Sequence, residues 1–149
     1  RLAAAMESLR KTLRKMEPFE MTLSFPDGKR VEHLLWAEVA MANVVGPQLS
    51  VFHQQELADG QLSFALLPEG ERDTFARSLE DRLEGRAPER TGLTIGRTSE
   101  LTMTWTGAAA QLDGHLVPDG PQDGSSERFA TATVIPRALR YLRLVTEPR

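Results

Sequence analysis

Residues 19–40, FEMTLSFPDGKRVEHLLWAEVA, restrict the fold more than any other stretch of the chain. Phe19, Met21, Leu23 and Phe25 alternate with polar neighbours, the period-two pattern of a strand with one buried face. PDGK (Pro26 to Lys29) reads as a turn, because Pro presets φ and Gly accepts a positive one. VEHLLWAEVAMANVV (Val31 to Val45) then reads as a long, mostly apolar strand, paired antiparallel across that turn. Gly46-Pro47 ends it. A chain that opens its sheet this way is committed to antiparallel pairing.

Two segments switch to the helical period. In RLAAAMESLRKTLRKM the apolar residues Leu2, Met6, Leu9, Leu13 and Met16 recur at gaps of four and three, which draws one stripe down a helix. Arg10, Lys11, Arg14 and Lys15 fall on the other side. They suit the negative end of the helix dipole and read as a solvated face, with contact to an anionic membrane as the rival reading. Pro18 stops this helix. ERDTFARSLEDRLEG (Glu71 to Gly85) carries Phe75, Leu79 and Leu83 at spacing four and ends on a glycine, so it reads as a short amphipathic helix.

The remaining segments are strand-like. QLSFALL (Gln61 to Leu67) is an apolar strand followed by a loop at Pro68 to Gly70. Leu101, Met103 and Trp105 alternate within TGLTIGRTSELTMTW, and Phe129, Thr131, Thr133 and Ile135 within RFATATVI. VPDGPQDGSSE between them is a Gly/Pro/Ser-rich loop. Strands and helices do not alternate regularly, which argues against a doubly wound parallel sheet. The expectation is a mainly β, α+β fold: an antiparallel β-sandwich with an N-terminal helix and one further short helix, in a single domain over residues 1–149.

Composition sets the outer limits. A net charge of -3 and a pI near 5.7 provide no basic field, so nucleic acid is not an expected partner. The chain has no cysteine, which removes disulfides and thiolate metal sites and fits a cytoplasmic protein. No apolar run approaches the ~18 residues of a membrane helix. The chain begins at Arg1 rather than Met, and we read it as a piece of a longer protein.

Five Asp-Gly pairs punctuate the chain, at Asp27, Asp59, Asp113, Asp119 and Asp123. Each is by itself a turn: glycine supplies the positive φ and aspartate bonds its own backbone. His33, His53 and His115 lack metal-ligand spacing, no HExxH occurs, and His33 reads as a strand-surface residue. There is no P-loop, no GxGxxG and no GxSxG elbow.

Read together, three segments resemble the C-terminal domain of the diacylglycerol kinase and sphingosine kinase-like lipid kinases. WAEVAMANVVGPQLSVFHQQELADGQLSFALL is similar to that family's strand ending in Asn, followed by a linker and an L-x-DG-x-L motif; Asn43, Leu57, Asp59, Gly60 and Leu62 occupy the matching positions. QLDGHLV resembles the family's DGE turn, and VIPRALRYL its closing v-x-P-x-A-L-x-v-L. The opening helix and EPFEMTLSFPDGK fit the segment that precedes the first motif, so the resemblance spans nearly the whole chain.

The resemblance implies a β-sandwich, the lipid-side half of a two-domain kinase whose other half binds ATP through a GGDGT motif. No GGDGT occurs in these residues, so the chain alone is expected to be inactive. It implies that Asp113 and the following acidic position act near the transferred phosphate as carboxylates, and His115 stands where the family has Glu. An imidazole with a pKa near ~6.5 can take a proton but is a poor Mg²⁺ ligand. It further implies a cation site at ELADGQL, for Mg²⁺ or a similar cation, formed by the Asp59 carboxylate and the carbonyls of Glu56 and Gln61; oxygen donors suit Mg²⁺ or Ca²⁺.

The implied partners are a lipid alcohol such as diacylglycerol, and ATP held by the missing domain, with peripheral contact to a membrane. The rival function is a non-catalytic module that binds a lipid or a protein, and His115 favours it. An unrelated enzyme with a site in strand-end loops is a third reading with no motif behind it. An exposed sheet edge is one route to a homodimer.

Overall fold

The computed structural model describes residues 2–40, 44–45, 49–50, 60–112, 115–116 and 127–134. Helix α1 (Leu2–Leu13) leads into β1 (Phe19–Phe25) and β2 (Gly28–Ala40), then the two-residue strands β3 (Val44–Val45) and β4 (Leu49–Ser50). β5 (Leu62–Pro68) runs through a 3-10 turn, Glu69–Glu71, into α2 (Arg72–Leu83). β6 (Thr94–Thr98), β7 (Glu100–Trp105), the short pair β8 (Gln111–Leu112) and β9 (His115–Leu116), and β10 (Arg128–Thr133) follow. The fold is mainly β of the α+β class, as the sequence patterns indicate. Its frame is a six-stranded antiparallel sheet in the order β10-β7-β1-β2-β5-β6.

The period-two reading of β1 holds in detail. Met21 and Leu23 are buried while their neighbours are not, and Phe25 pairs with Gly28 across the Pro26-Asp27 turn. β5 is buried on both faces, which explains its unbroken apolar run. Ser63, Ala65 and Leu67 form one side of it, and Leu62, Phe64 and Leu66 the other.

The long strand β2 turns a corner. Its register against β5 shifts between Leu34 and Trp36, and such a bulge bends a strand. Beyond the corner the second half of β2, with β5 and β6, folds over the first half with β1, β7 and β10. Between the halves lies a core of Met21, Leu23, Leu34, Phe64, Leu66, Leu101 and Trp105, the interior of a sandwich. A second core of Leu13, Leu35, Leu67, Phe75 and Leu79 lies on the outer face of the bend, roofed by both helices. Each fully buried leucine of these cores stabilises the fold by about 1.5–3 kcal/mol.

Three details depart from the one-dimensional reading. The strand expected over residues 31–45 is divided: β2 is Gly28–Ala40, and Val44–Val45 pairs with Leu49–Ser50 in a separate two-stranded sheet. α1 ends at Leu13, before Met16, and another element reaches the carbonyls at and just beyond its end: Arg72 donates to those of Leu13 and Met16, the second at 2.7 Å. Arg10 does not lie on a solvated face. It donates to Glu7 at 2.9 Å and to Glu80 of α2 at 2.8 Å, with its side chain 21% exposed, and so ties the helices together. The same contact holds the Glu7 carboxyl below the usual carboxylate range, chiefly through the hydrogen bond from Arg10. α2 ends as its glycine indicates. Gly85 adopts a φ of 74°, and Gly85 and Arg86 donate back to Arg82 and Asp81 at 3.1 and 2.7 Å, a Schellman closure.

Candidate functional site

The DGH segment sits on a hairpin. β8 and β9 pair antiparallel with Leu112 opposite His115, a register that leaves Asp113 and Gly114 as the two-residue connection. This is the spacing that Asp-Gly hairpins use. His115 is exposed. Asp113 and Gly114 themselves lie outside the described residues. The hairpin is a separate two-stranded sheet, hydrogen-bonded to no strand of the six-stranded one among the described residues.

The approach to the hairpin is well defined. Trp105, the last residue of β7, pairs with Met21 of β1 and Arg128 of β10. Its ring belongs to the inner core, and its indole Nε1 donates to the carbonyl of Ala108 at 3.1 Å. Ala108 and Ala110 pack against the same core, while Ala109 faces outward. The sequence patterns marked Trp105 only as a strand residue. The signal overlooked is a Trp followed by a glycine and an alanine run, in which alternate methyls can lie on a core.

Of the proposed cation ligands, Gln61 is exposed at the start of β5; Leu62 beside it is buried and paired with Thr98. Asp59 and Glu56 lie outside the described residues, as do Asn43, Leu57, His53, the loop at residues 117–126 and the segment VIPRALRYL from Ile135 onward. Gln61 and His115 stand on different sheets, one entering the main sheet and the other on the hairpin. Among the described residues no three of His, Cys, Asp or Glu converge as a metal would require. His33 is exposed on β2, as expected.

Two further features have chemical character. The Arg30 guanidinium lies 4.5 Å from the centroid of the Phe25 ring and 5.8 Å from that of Phe64, a cation–π stack at the rim of the sandwich. An open cleft of about 600 Å³ lies between the 3-10 turn and the approach to β6, lined by Pro68, Gly70, Glu71, Arg90, Gly92 and Thr94, among others. Arg90 bridges it by an ion pair to Glu71 at 3.1 Å. Of the described residues that the motifs single out, neither Gln61 nor His115 lines this cleft. No helix of the described residues is long and apolar enough to cross a membrane.

No family profile matches the chain, and no curated protein matches it. Solved structures do. Two proteins of Bacillus anthracis str. Sterne, each named a "putative diacylglycerol kinase", superpose with TM-scores of 0.59 and 0.54 at 10% and 11% identity, over 88% and 83% of this chain. A third structure from the same organism, named as a diacylglycerol kinase, superposes with a TM-score of 0.51 at 9% identity over 85% of this chain. The chain spans 42%, 41% and 44% of those three proteins, well under half of each. At such identities the likeness is one of fold, and the chain has the fold of one part of these diacylglycerol kinase structures.

Proposed function

We propose that this chain is the C-terminal, lipid-side domain of an ATP-dependent kinase that phosphorylates the hydroxyl of a lipid such as diacylglycerol. The observation that carries the reading is the superposition on part of three diacylglycerol kinase structures, over 83–88% of this chain. The order of the motifs ELADGQL, QLDGH and VIPRAL along the sequence supports it independently.

Phosphoryl transfer asks a protein chiefly to position the groups and neutralise charge. In this reading the hairpin between β8 and β9 presents Asp113 and His115 to the reacting lipid hydroxyl. His115, as a neutral imidazole, accepts the hydroxyl proton in place of a carboxylate. Asp59, with the carbonyls of Glu56 and Gln61, forms an all-oxygen donor set whose chemistry fits Mg²⁺, which would organise this loop. ATP binds on a separate domain, and the chain by itself turns nothing over. The protein works in the cytoplasm against the membrane surface where its substrate resides.

The test uses the parent protein with labelled ATP and a panel of lipid alcohols. Lipid phosphorylation that falls about 100-fold or more in Asp113→Asn supports the reading. The second reading, a non-catalytic module that holds a lipid or a protein, is favoured by one observation, the histidine at 115 where a carboxylate is expected. Lipid binding without turnover in the parent protein selects it.

A further inference from the structure

The β8–β9 hairpin stands apart from the main sheet, and an isolated two-stranded hairpin is marginally stable in water. Something must hold it in one place if it is to present a reactive side chain. The described structure shows one such device. β7 ends at Trp105, which is locked between β1 and β10 and has its ring in the inner core. The chain then bends at Thr106-Gly107, and the Gly107 φ of +75° lies in the left-handed region that other residues avoid. The Trp105 indole spans this bend with its bond to the Ala108 carbonyl at 3.1 Å. Ala108 and Ala110 hold the connecting segment against the core, and Gln111 opens the hairpin directly after.

We propose that Trp105 is a positioning residue: its indole N–H, together with the left-handed Gly107, sets the direction in which the hairpin leaves the core, and thereby the place of His115. This deepens the lipid kinase reading and, for its effect on turnover, rests on it. The bond and the glycine do different work from the ring. The ring fills the core, whereas the N–H and the φ of Gly107 act only on the connection. The two roles are therefore separable by substitution.

Trp105→Phe keeps an aromatic ring in the core and removes the donor. Gly107→Ala leaves the core untouched, since nothing lies within 4 Å of an added Cβ, but strains the bend. Amide hydrogen exchange of the whole 149-residue chain reads the result. Both variants are expected to speed exchange roughly tenfold in residues 106–116 while β1 and β2 keep their protection. Unchanged exchange in 106–116, or loss of protection spread through β1 and β2 in both variants, overturns the proposal. If Trp105→Phe does not fold, Gly107→Ala decides alone.

Turnover in the parent protein separates this proposal from the reading beneath it. Positioning predicts a fall in kcat with the lipid KM unchanged. Faster hairpin exchange in a parent protein with no lipid kinase activity sinks the kinase reading and leaves the positioning role standing. Turnover that depends on Asp113, together with unaltered exchange and kcat in both variants, does the reverse.

Discussion

The rings of Phe25 and Phe64 meet with centroids 5.2 Å apart, although Phe25 pairs with Gly28 at one end of β2 and Phe64 with Val39 near the other. A straight strand would hold those two positions about 36 Å apart. The contact exists because β2 turns its corner at Leu34–Trp36 and folds the β1–β2 hairpin back over β5. Arg30 then stacks over both rings and closes that end of the sandwich. The same closure sets the core against which Trp105, and hence the hairpin carrying His115, is seated.

The Phe64 ring occupies the space where a side chain on Gly96 would be. A Cβ at Gly96 would come within 2.3 Å of Phe64 Cζ. Gly96→Ala is therefore expected to destabilise the protein by about 1–3 kcal/mol, since the ring can yield only by moving against Phe25. Urea unfolding measures this. In a Phe64→Leu background the same substitution should cost much less, and equal costs in the two backgrounds would show that the ring is not the obstacle.

Arg72 joins the start of α2 to the end of α1. Its guanidinium donates to the carbonyls of Leu13, at the end of α1, and of Met16, just beyond it, a region where a helix leaves carbonyls free to accept further bonds. Replacement by Met removes both bonds and is expected to cost about 1.5–3 kcal/mol. Replacement by Lys should recover only part, because a single ammonium cannot span two carbonyls as a planar fork does. Denaturant titration of the three proteins ranks them, and a Lys variant as stable as the wild type would contradict this account.

Glu38 lies on the helix-facing side of β2, opposite Ala65, and burial pushes its carboxyl above the usual carboxylate range. A raised acid binds more protons folded than unfolded. Its contribution is therefore most favourable below the unfolded pKa, and stability falls as pH rises from there through the raised folded value. Glu38→Gln is expected to remove that part of the decline and to be more stable than the wild type at neutral pH. Thermal unfolding from mildly acidic to neutral pH tests the sign; a variant that loses stability relative to the wild type as pH rises would reverse it.

His115 offers a test of the chemistry rather than the fold. It is exposed on a hairpin whose register tolerates any side chain at that position, so His115→Glu should leave stability within about 0.5 kcal/mol. If the chain is the proposed lipid kinase domain, the variant should raise lipid phosphorylation by the parent protein severalfold, because it restores the carboxylate that the family resemblance places at this position. Initial rates with labelled ATP decide it, and a Glu variant slower than the wild type would show that a carboxylate does not improve on the imidazole at this position.

Much of this protein was legible in one dimension because the relevant physics is local. Alternation at residues 19–25 and 101–105 specified buried strands, the spacing of Phe75 and Leu79 specified the buried face of α2, and Asp113-Gly114 specified a hairpin whose flanking residues pair as a two-residue turn requires. Burial of one face is written into the period of each element. At β10 the pattern named a strand but not its orientation: Phe129 points outward and is 71% exposed, while Ala130 packs against the core. Pairing with β7, not hydrophobicity, decided which set faces inward.

What remained for the tertiary structure involves partners far apart in the chain. That Arg10 meets Glu80, that Arg72 completes α1, and that Phe64 lies over Gly96 and against Phe25 depend on where β2 bends and how the helices settle on the bend. No local period encodes such contacts, because each is selected by packing after the strands have paired. The sequence by itself determined most of the elements, their order and the turn that precedes His115. Only the folded chain decided what holds that turn in place, because the Trp105 anchor draws its rigidity from β1 and β10, which join it from opposite ends of the chain.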